Sequence, residues 1–239
     1  MSPPRGLRRP SRRRRAGTTR GPLERAARAA LADSAHAMGR LGRRCGPAVA
    51  AAAEAVIACL QGGGTVFFCG NGGSAADAQH LAAELAGRYL TERPSLAAVA
   101  LTTNTSSLTA IGNDYGFDHV FSRQLESLGT RGDVLVAITT SGASRNVLRA
   151  VRVARRLGMV VIGMTGLKGN GAEFAAMCDH ALVSPHASTP RIQEGHVAMG
   201  HAFCDLVERS LAGGPPAVQG REPRRRTRRA RRGSGARRR

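Results

Sequence analysis

Phe67-Phe-Cys-Gly-Asn-Gly-Gly-Ser-Ala-Ala-Asp-Ala-Gln-His-Leu-Ala-Ala-Glu84 reads as the end of a buried strand, a glycine turn and a helix opening on Ser74. The glycines let backbone approach a ligand closely. The new helix presents unpaired N–H groups, which suit a phosphate or another anion. Two turns into that helix stand His80 and Glu84. Their i,i+4 spacing puts them on one face, about 6 Å apart along the axis. The stretch therefore proposes a base or a metal ligand beside an anion cradle.

Working outward, Leu23 to Met38 and Pro47 to Gln61 are Ala-rich with helical spacing of apolar residues, and Gly62-Gly63-Gly64 stops the second helix. Thr65–Cys69 is a short, almost continuously apolar strand, as expected where both faces of a parallel sheet are covered. The helix from Ser74 is expected to run to about Leu90, with Arg93-Pro94 breaking the chain before a strand at Leu96–Leu101. Thr105–Ile111 and Phe117–Leu128 read as helices flanking a Gly112-Asn113-Asp114-Tyr115-Gly116 loop. Asp133–Ile138 is a strand, Ser144–Leu157 a helix, Met159–Met164 a strand, and Gly166–Gly171 a loop. Ala172–Met177, Ala181–Val183 and Arg191–Leu211 complete the series as a helical turn, a short strand and a long helix. Alternating strands and helices define an α/β class with a parallel sheet. Ligands in such open sheets sit at the carboxyl ends of the strands, where both polar loops, Gly70–Ser74 and Thr139–Ser144, fall.

The formal charge of +20 is concentrated at the ends. Residues 1–20 carry eight Arg and no acid, and residues 221–239 carry eleven Arg and one Glu. Between them seventeen basic residues face fifteen acidic ones, close to neutrality. The expected organisation is an Arg-rich disordered tail at 1–20, one domain with N-terminal helices at 21–213, and a second Arg-rich disordered tail at 214–239. Such tails can contact nucleic acid electrostatically, but no aromatics interleave with the arginines to stack on bases, and a solvated tail is the simpler reading. Five scattered cysteines without a CxxC pair point to reduced, buried thiols and a cytoplasmic protein. No apolar run is long enough for a membrane helix, and the basic N-terminus lacks the apolar segment of a secretory signal.

The loop Thr139-Thr-Ser-Gly-Ala-Ser144 supplies four hydroxyls where a helix begins; a simple N-cap needs one, so a phosphate cradle is the stronger reading. It lacks the pattern of an ATP-type P-loop, and Gly70-Asn71-Gly72-Gly73 lacks the dinucleotide fingerprint. On the last helix Gln193, Glu194, His196 and His201 stand among apolar residues. Gln193 and His201 are about 12 Å apart along the axis, too far to reach one atom from a single copy. Two residues serving one centre would then need a neighbouring subunit.

Taken together, Cys69-Gly-Asn-Gly-Gly-Ser74, Ala78-Gln-His-Leu-Ala-Ala-Glu84, Arg93-Pro94, Ile111-Gly-Asn-Asp-Tyr-Gly116, Phe121-Ser-Arg123, Thr139–Ser144, and Arg191-Ile-Gln-Glu-Gly-His196 with His201 resemble the sugar-isomerase (SIS) domain family over roughly Leu31 to Leu211. The resemblance is to the branch acting on seven-carbon sugar phosphates. It implies a five-stranded parallel α/β/α sandwich, flavodoxin-like in order, assembled as a homotetramer with sites shared between subunits. The implied reaction converts D-sedoheptulose 7-phosphate to D-glycero-D-manno-heptose 7-phosphate through an enediol, the first step of nucleotide-activated heptose biosynthesis. By resemblance Asn71, Gly72, Gly73, Ser74, Glu84, Asn113, Asp114, Thr139, Thr140, Ser141, Ser144 and Gln193 contact substrate. His80, Glu84, Gln193 and His201 match a zinc set, one ion per subunit, and Glu84 and His201 match the acid/base pair. One departure concerns His186-Ala-Ser-Thr-Pro190, which lacks the acid often found before the Gln motif. Two other readings compete: a non-catalytic tetrameric binding protein of the DnaA initiator-associating type, and a sugar-phosphate-sensing regulator. The presence of Glu84 and His201 favours the enzyme over the first, and the absence of a segment able to form a DNA-binding domain argues against the second.

Overall fold

A computed structural model describes residues 21–212. The Arg-rich ends, and the expectations of disorder and nucleic-acid contact attached to them, lie outside the described residues. Five strands, β1 (Val66–Gly70), β2 (Ala98–Ala100), β3 (Val134–Ile138), β4 (Val160–Gly166) and β5 (His180–Ser184), form one parallel sheet in the order β2-β1-β3-β4-β5. The helices are α1 (Pro22–Arg44), α2 (Gly46–Gln61), α3 (Gly73–Ala86), α4 (Thr105–Tyr115), α5 (Ser122–Leu128), α6 (Arg145–Leu157), α7 (Gly171–Ala176) and α8 (Thr189–Leu211).

Strand alternation feeds two separate cores. Val66, Phe68, Val134, Val136, Ile138, Ile162 and Leu182 pack under α2, α3 and α8. Phe67, Cys69, Leu135, Ala137 and Val161 face the other way, onto α5, α6 and α7. Every residue of β1 and β3 is buried, which explains why these strands read as unbroken apolar runs. Burial also keeps the thiols protonated: it pushes Cys69, Cys178 and Cys204 up to about 12, and all five cysteines are free.

The structure shifts several expected boundaries. The helix after the glycine turn stops at Ala86 rather than Leu90, because residues 87–95 fold back around a buried ion pair described below. Gly112-Asn113-Asp114-Tyr115 is the last part of α4, not a loop; the helix is capped by the Asn104 side chain and ends at Gly116, with φ +84°. The expected helix from Phe117 divides into a 3-10 turn and α5. Helix α1 continues six residues beyond Met38, its end fastened by hydrogen bonds from Arg40 to His186 (2.7 Å) and from Ser34 to Glu194 (2.7 Å). The Arg131-Gly132-Asp133 triplet is a turn into β3, with the buried Asp133 carboxylate accepting from Thr65 N, Thr130 N and Thr130 Oγ1.

Candidate active site

The chain reverses direction of progress across the sheet between β1 and β3, so their following loops diverge and leave a crevice at the strand ends. The Gly70–Gly73 turn and the Thr139–Ser144 loop line it. A reciprocal pair of amide hydrogen bonds, Asn71 to Asn146 at 2.8 Å and Asn146 to Asn71 at 2.9 Å, joins the first loop to the start of α6. The family resemblance puts Asn71 against substrate; here its carboxamide is engaged in this link. Asn146 was not singled out from the sequence, where one amide inside a helix start carries no signal until its partner 75 residues away is known.

The hydroxyl loop is built as a cradle. Ser144 occupies the N-cap position of α6 but bonds no backbone N–H through its side chain; its Oγ lies 3.1 Å from Thr139 Oγ1. Ser141 Oγ accepts from Ala143 N at 3.3 Å. The loop turns at Gly142, φ +67°, against the Asn170 carbonyl, and Asn170 N donates to the Ser141 carbonyl at 2.8 Å. The β4–α7 loop thus braces the cradle from behind. Thr140 and Ser141 are half-buried, and in the first turn of α6 the Val147 N–H donates to Asn146 Oδ1 at 2.9 Å. Ser74 lies buried in the first turn of α3, across the crevice.

Helices α3 and α8 run side by side in the same direction, and their pairing orders the remaining residues. A Cβ on Gly73 would overlap the Gln193 carboxamide, and one on Gly200 would overlap the Leu81 side chain. At the next level His80 Nε2 lies 2.8 Å from His201 Nε2, and Glu84 Oε1 3.3 Å from His80 Nε2. One of the two facing imidazole nitrogens must carry a proton for that contact. Ligand atoms of His80, Glu84 and His201 all lie within 4.8 Å of one another, so these three could hold a metal ion. Gln193 is about two turns away along α8, beside the glycine turn. Asp77, one turn before His80, keeps a buried carboxylate oxygen without a partner; burial raises it to about 6 against the opposing pull of His80.

Two expected residues lie elsewhere. Asn113 and Asp114 are exposed on the last turn of α4, hydrogen-bonded to each other at 2.8 Å. Asp114 lines a surface groove with Tyr115 and Arg123, whose guanidinium stacks 3.8 Å above the Tyr115 ring. His196 points into the core: its Nε2–H donates to the Thr165 carbonyl at 3.1 Å, and burial lowers it to about 4. Among the described residues no helix is long and apolar enough to cross a membrane.

A crevice of this kind, at the switch point of a five-stranded parallel sheet, is where open α/β folds bind their ligands. The SIS domain pattern matches residues 31–166, and the chain belongs to the SIS domain family. Within it the chain is similar to phosphoheptose isomerases. It is 60% identical to that of Rhodospirillum rubrum over 70% of this chain and 88% of the relative. It superimposes on the phosphoheptose isomerase structure from Neisseria gonorrhoeae with a TM-score of 0.73 at 49% identity, covering 78% of this chain and 99% of that one. The structure of the Francisella tularensis phosphoheptose isomerase gives a TM-score of 0.74 at 38% identity, covering 78% and 98%.

Proposed function

We propose that this chain is a phosphoheptose isomerase, converting D-sedoheptulose 7-phosphate to D-glycero-D-manno-heptose 7-phosphate. The observation that carries the reading is the meeting of His201 with His80 one turn from Glu84, on helices that also flank the anion crevice. The named relatives point to the same reaction. They do not favour the initiator-associating alternative.

In this reading Thr139, Thr140, Ser141 and Ser144 with the N-terminus of α6 hold the phosphate, assisted by Ser74. The glycine turn forms the wall along the sugar and Gln193 serves its hydroxyls; Asn113 and Asp114, exposed on α4 outside the crevice of their own chain, would serve the site of a neighbouring subunit. Isomerisation removes a proton from C1 of the ketose and returns one to C2, while a hydroxyl proton passes from O1 to O2. A carboxylate suits the carbon proton and an imidazole suits the oxygen proton near neutral pH, so Glu84 and His201 form the acid/base pair. Two imidazoles and a carboxylate facing one open side fit zinc, with His80, Glu84, His201 and a Gln193 carboxamide as its holders. When bound, the ion would polarise the sugar carbonyl.

The remoteness of Gln193 from His201 within one chain supports shared sites in a homotetramer, with Gln193 of the partner subunit completing the set. Unburied apolar surface supports assembly. Leu23 and Leu31 on the outer turns of α1 are 86% and 71% exposed, and Leu41, Val49, Met199 and Leu206 line an apolar groove of about 440 Å³. Buried free thiols and the absence of a membrane-spanning helix among the described residues fit a cytoplasmic enzyme.

The test is incubation of purified protein, with and without added zinc, with sedoheptulose 7-phosphate, monitoring the aldose. Glu84→Gln should lower kcat by about 10²–10⁴-fold and His201→Ala by a similar factor, with the folded state retained. No turnover by the wild-type protein under either condition would refute the assignment.

A further inference from the structure

The segment after α3 is wrapped around an ion pair that the proton chemistry does not use. Arg93 Nε donates to Glu208 Oε2 at 3.1 Å, with the two side chains 0% and 3% exposed. Glu208, on α8, also accepts from Tyr89 N (2.8 Å), Leu90 N (2.7 Å) and Thr91 N (2.8 Å). Arg93 donates onward to the carbonyls of Glu84 (2.8 Å), Leu85 (2.9 Å), Gly87 (3.3 Å) and Pro94 (3.0 Å). It therefore caps the C-terminal carbonyls of the helix that bears Glu84.

A buried pair of this kind is a poor source of net stability, because desolvation offsets the attraction and a well-packed apolar pair would serve as well. What it supplies is geometry. Glu208 lies seven residues, two helical turns, beyond His201 on the same side of α8. Arg93 grips the backbone of Glu84 itself. Tyr89, held through its N–H by Glu208, sets its ring 5.8 Å from the His201 ring, and the His80 ring is centred 5.0 Å from that same ring. His201 thus has two ring neighbours, and the backbone of one of them is fixed by the ion pair.

We propose that Arg93, Glu208 and Tyr89 are positioning residues that set the register of Glu84 against His201 for proton transfer. The proposal rests on the isomerase reading for its kinetic consequence and on geometry alone for its structural one. The Thr139–Ser144 loop of the phosphate cradle lies on other elements, and Ser74 stands at the far end of α3 from Arg93, so the effect falls on kcat rather than KM.

Glu208→Gln, Arg93→Met, Arg93→Lys and Tyr89→Leu test it, each compared with the wild type per mole of folded enzyme. We expect kcat to fall about ten-fold or more in Glu208→Gln, Arg93→Met and Tyr89→Leu, with KM within about two-fold. Arg93→Lys should recover part of the loss, since it restores the charge without the full fork of donors. In histidine-labelled protein the His201 ring resonances should shift in all three impaired variants. Tyr89→Leu leaves the ion pair intact and so separates positioning from folding. Unchanged kcat with an unmoved His201 resonance in Tyr89→Leu and Glu208→Gln would overturn the proposal, as would a rise in KM alone. If the wild type fails to turn over the sugar phosphate, the isomerase reading falls and the resonance comparison alone decides: a shifted His201 supports the positioning unit, an unmoved one overturns it.

Discussion

His196 stands five residues before His201 on α8, yet the two imidazoles meet opposite surroundings. His201 faces His80 and Glu84 at the half-exposed edge, whereas His196 is fully buried against the Thr165 carbonyl. Burial lowers His196 from 6.5 to about 4, so the unfolded chain binds a proton there that the folded one refuses. Stability from this group is present above 6.5 and is lost as pH falls toward 4. Asp77 works in the opposite sense. Burial raises its carboxyl from 3.8 to about 6, so its contribution to stability grows as pH falls through that window. Between pH 6 and 4 the two largely offset each other. Asp77→Asn removes one side of the balance, and its unfolding free energy should then drop by up to about 1.4 kcal/mol per pH unit over that range, more steeply than the wild type. Urea unfolding at several pH values checks this, and equal slopes for the two proteins would rule it out. Glu208 enters only in stronger acid. Burial alone would raise its carboxyl, but the N–H groups of Leu90, Tyr89 and Thr91 hold it to about 2, so its contribution is lost as pH falls from 4.5 to 2.

Among the elements, the two loops at the ends of β1 and β3 line the crevice, and each depends on a glycine that another segment presses against. Gly142 combines φ +67° with backbone contact to Asn170, leaving no room for a side chain. Gly142→Ala should therefore cost about 1–3 kcal/mol in stability and open the hydroxyl cradle. The expected kinetic signature is a raised KM with a smaller change in kcat, since Glu84 and His201 sit on other elements. Thermal unfolding and steady-state kinetics together measure both effects. At Gly73 the obstacle is the end of a flexible side chain, the Gln193 carboxamide. Gly73→Ala should accordingly be milder in stability while displacing Gln193. The same view explains why α3 is shorter than its apolar periodicity suggests. Its last carbonyls are taken by Arg93, and the following N–H groups by Glu208, which ends the helix at Ala86.

In the proposed reading, assembly is the scale on which the site becomes whole. Within one chain Gln193 is held at the glycine turn and the His80–Glu84–His201 group lies further along the same helix pair. With sites shared between subunits, Glu84→Gln and Gln193→Ala proteins, each inactive alone, should recover activity when dissociated and reassembled together. Random mixing leaves about one site in four with both native residues. Recovery of turnover after mixing, absent from either parent, is the expected result; none would place each site within a single chain.

The sequence alone determined whatever is local. The almost continuously apolar run at Thr65–Cys69 announced a strand covered on both faces, Asp133–Ile138 read as another strand, and the hydroxyl and glycine clusters at helix starts marked the crevice, because burial pattern and helix initiation depend on neighbouring residues. The i,i+4 spacing likewise put His80 and Glu84 on one face. What lay beyond the sequence were meetings between distant segments: His80 with His201 across 121 residues, Arg93 with Glu208 across 115, Asn71 with Asn146 across 75. Periodicity tells which face of a helix is inward but not how far two helices slide past each other. That axial register is settled by side-chain packing along the whole α3–α8 contact, and it decides that His201 rather than Gln193 stands opposite His80.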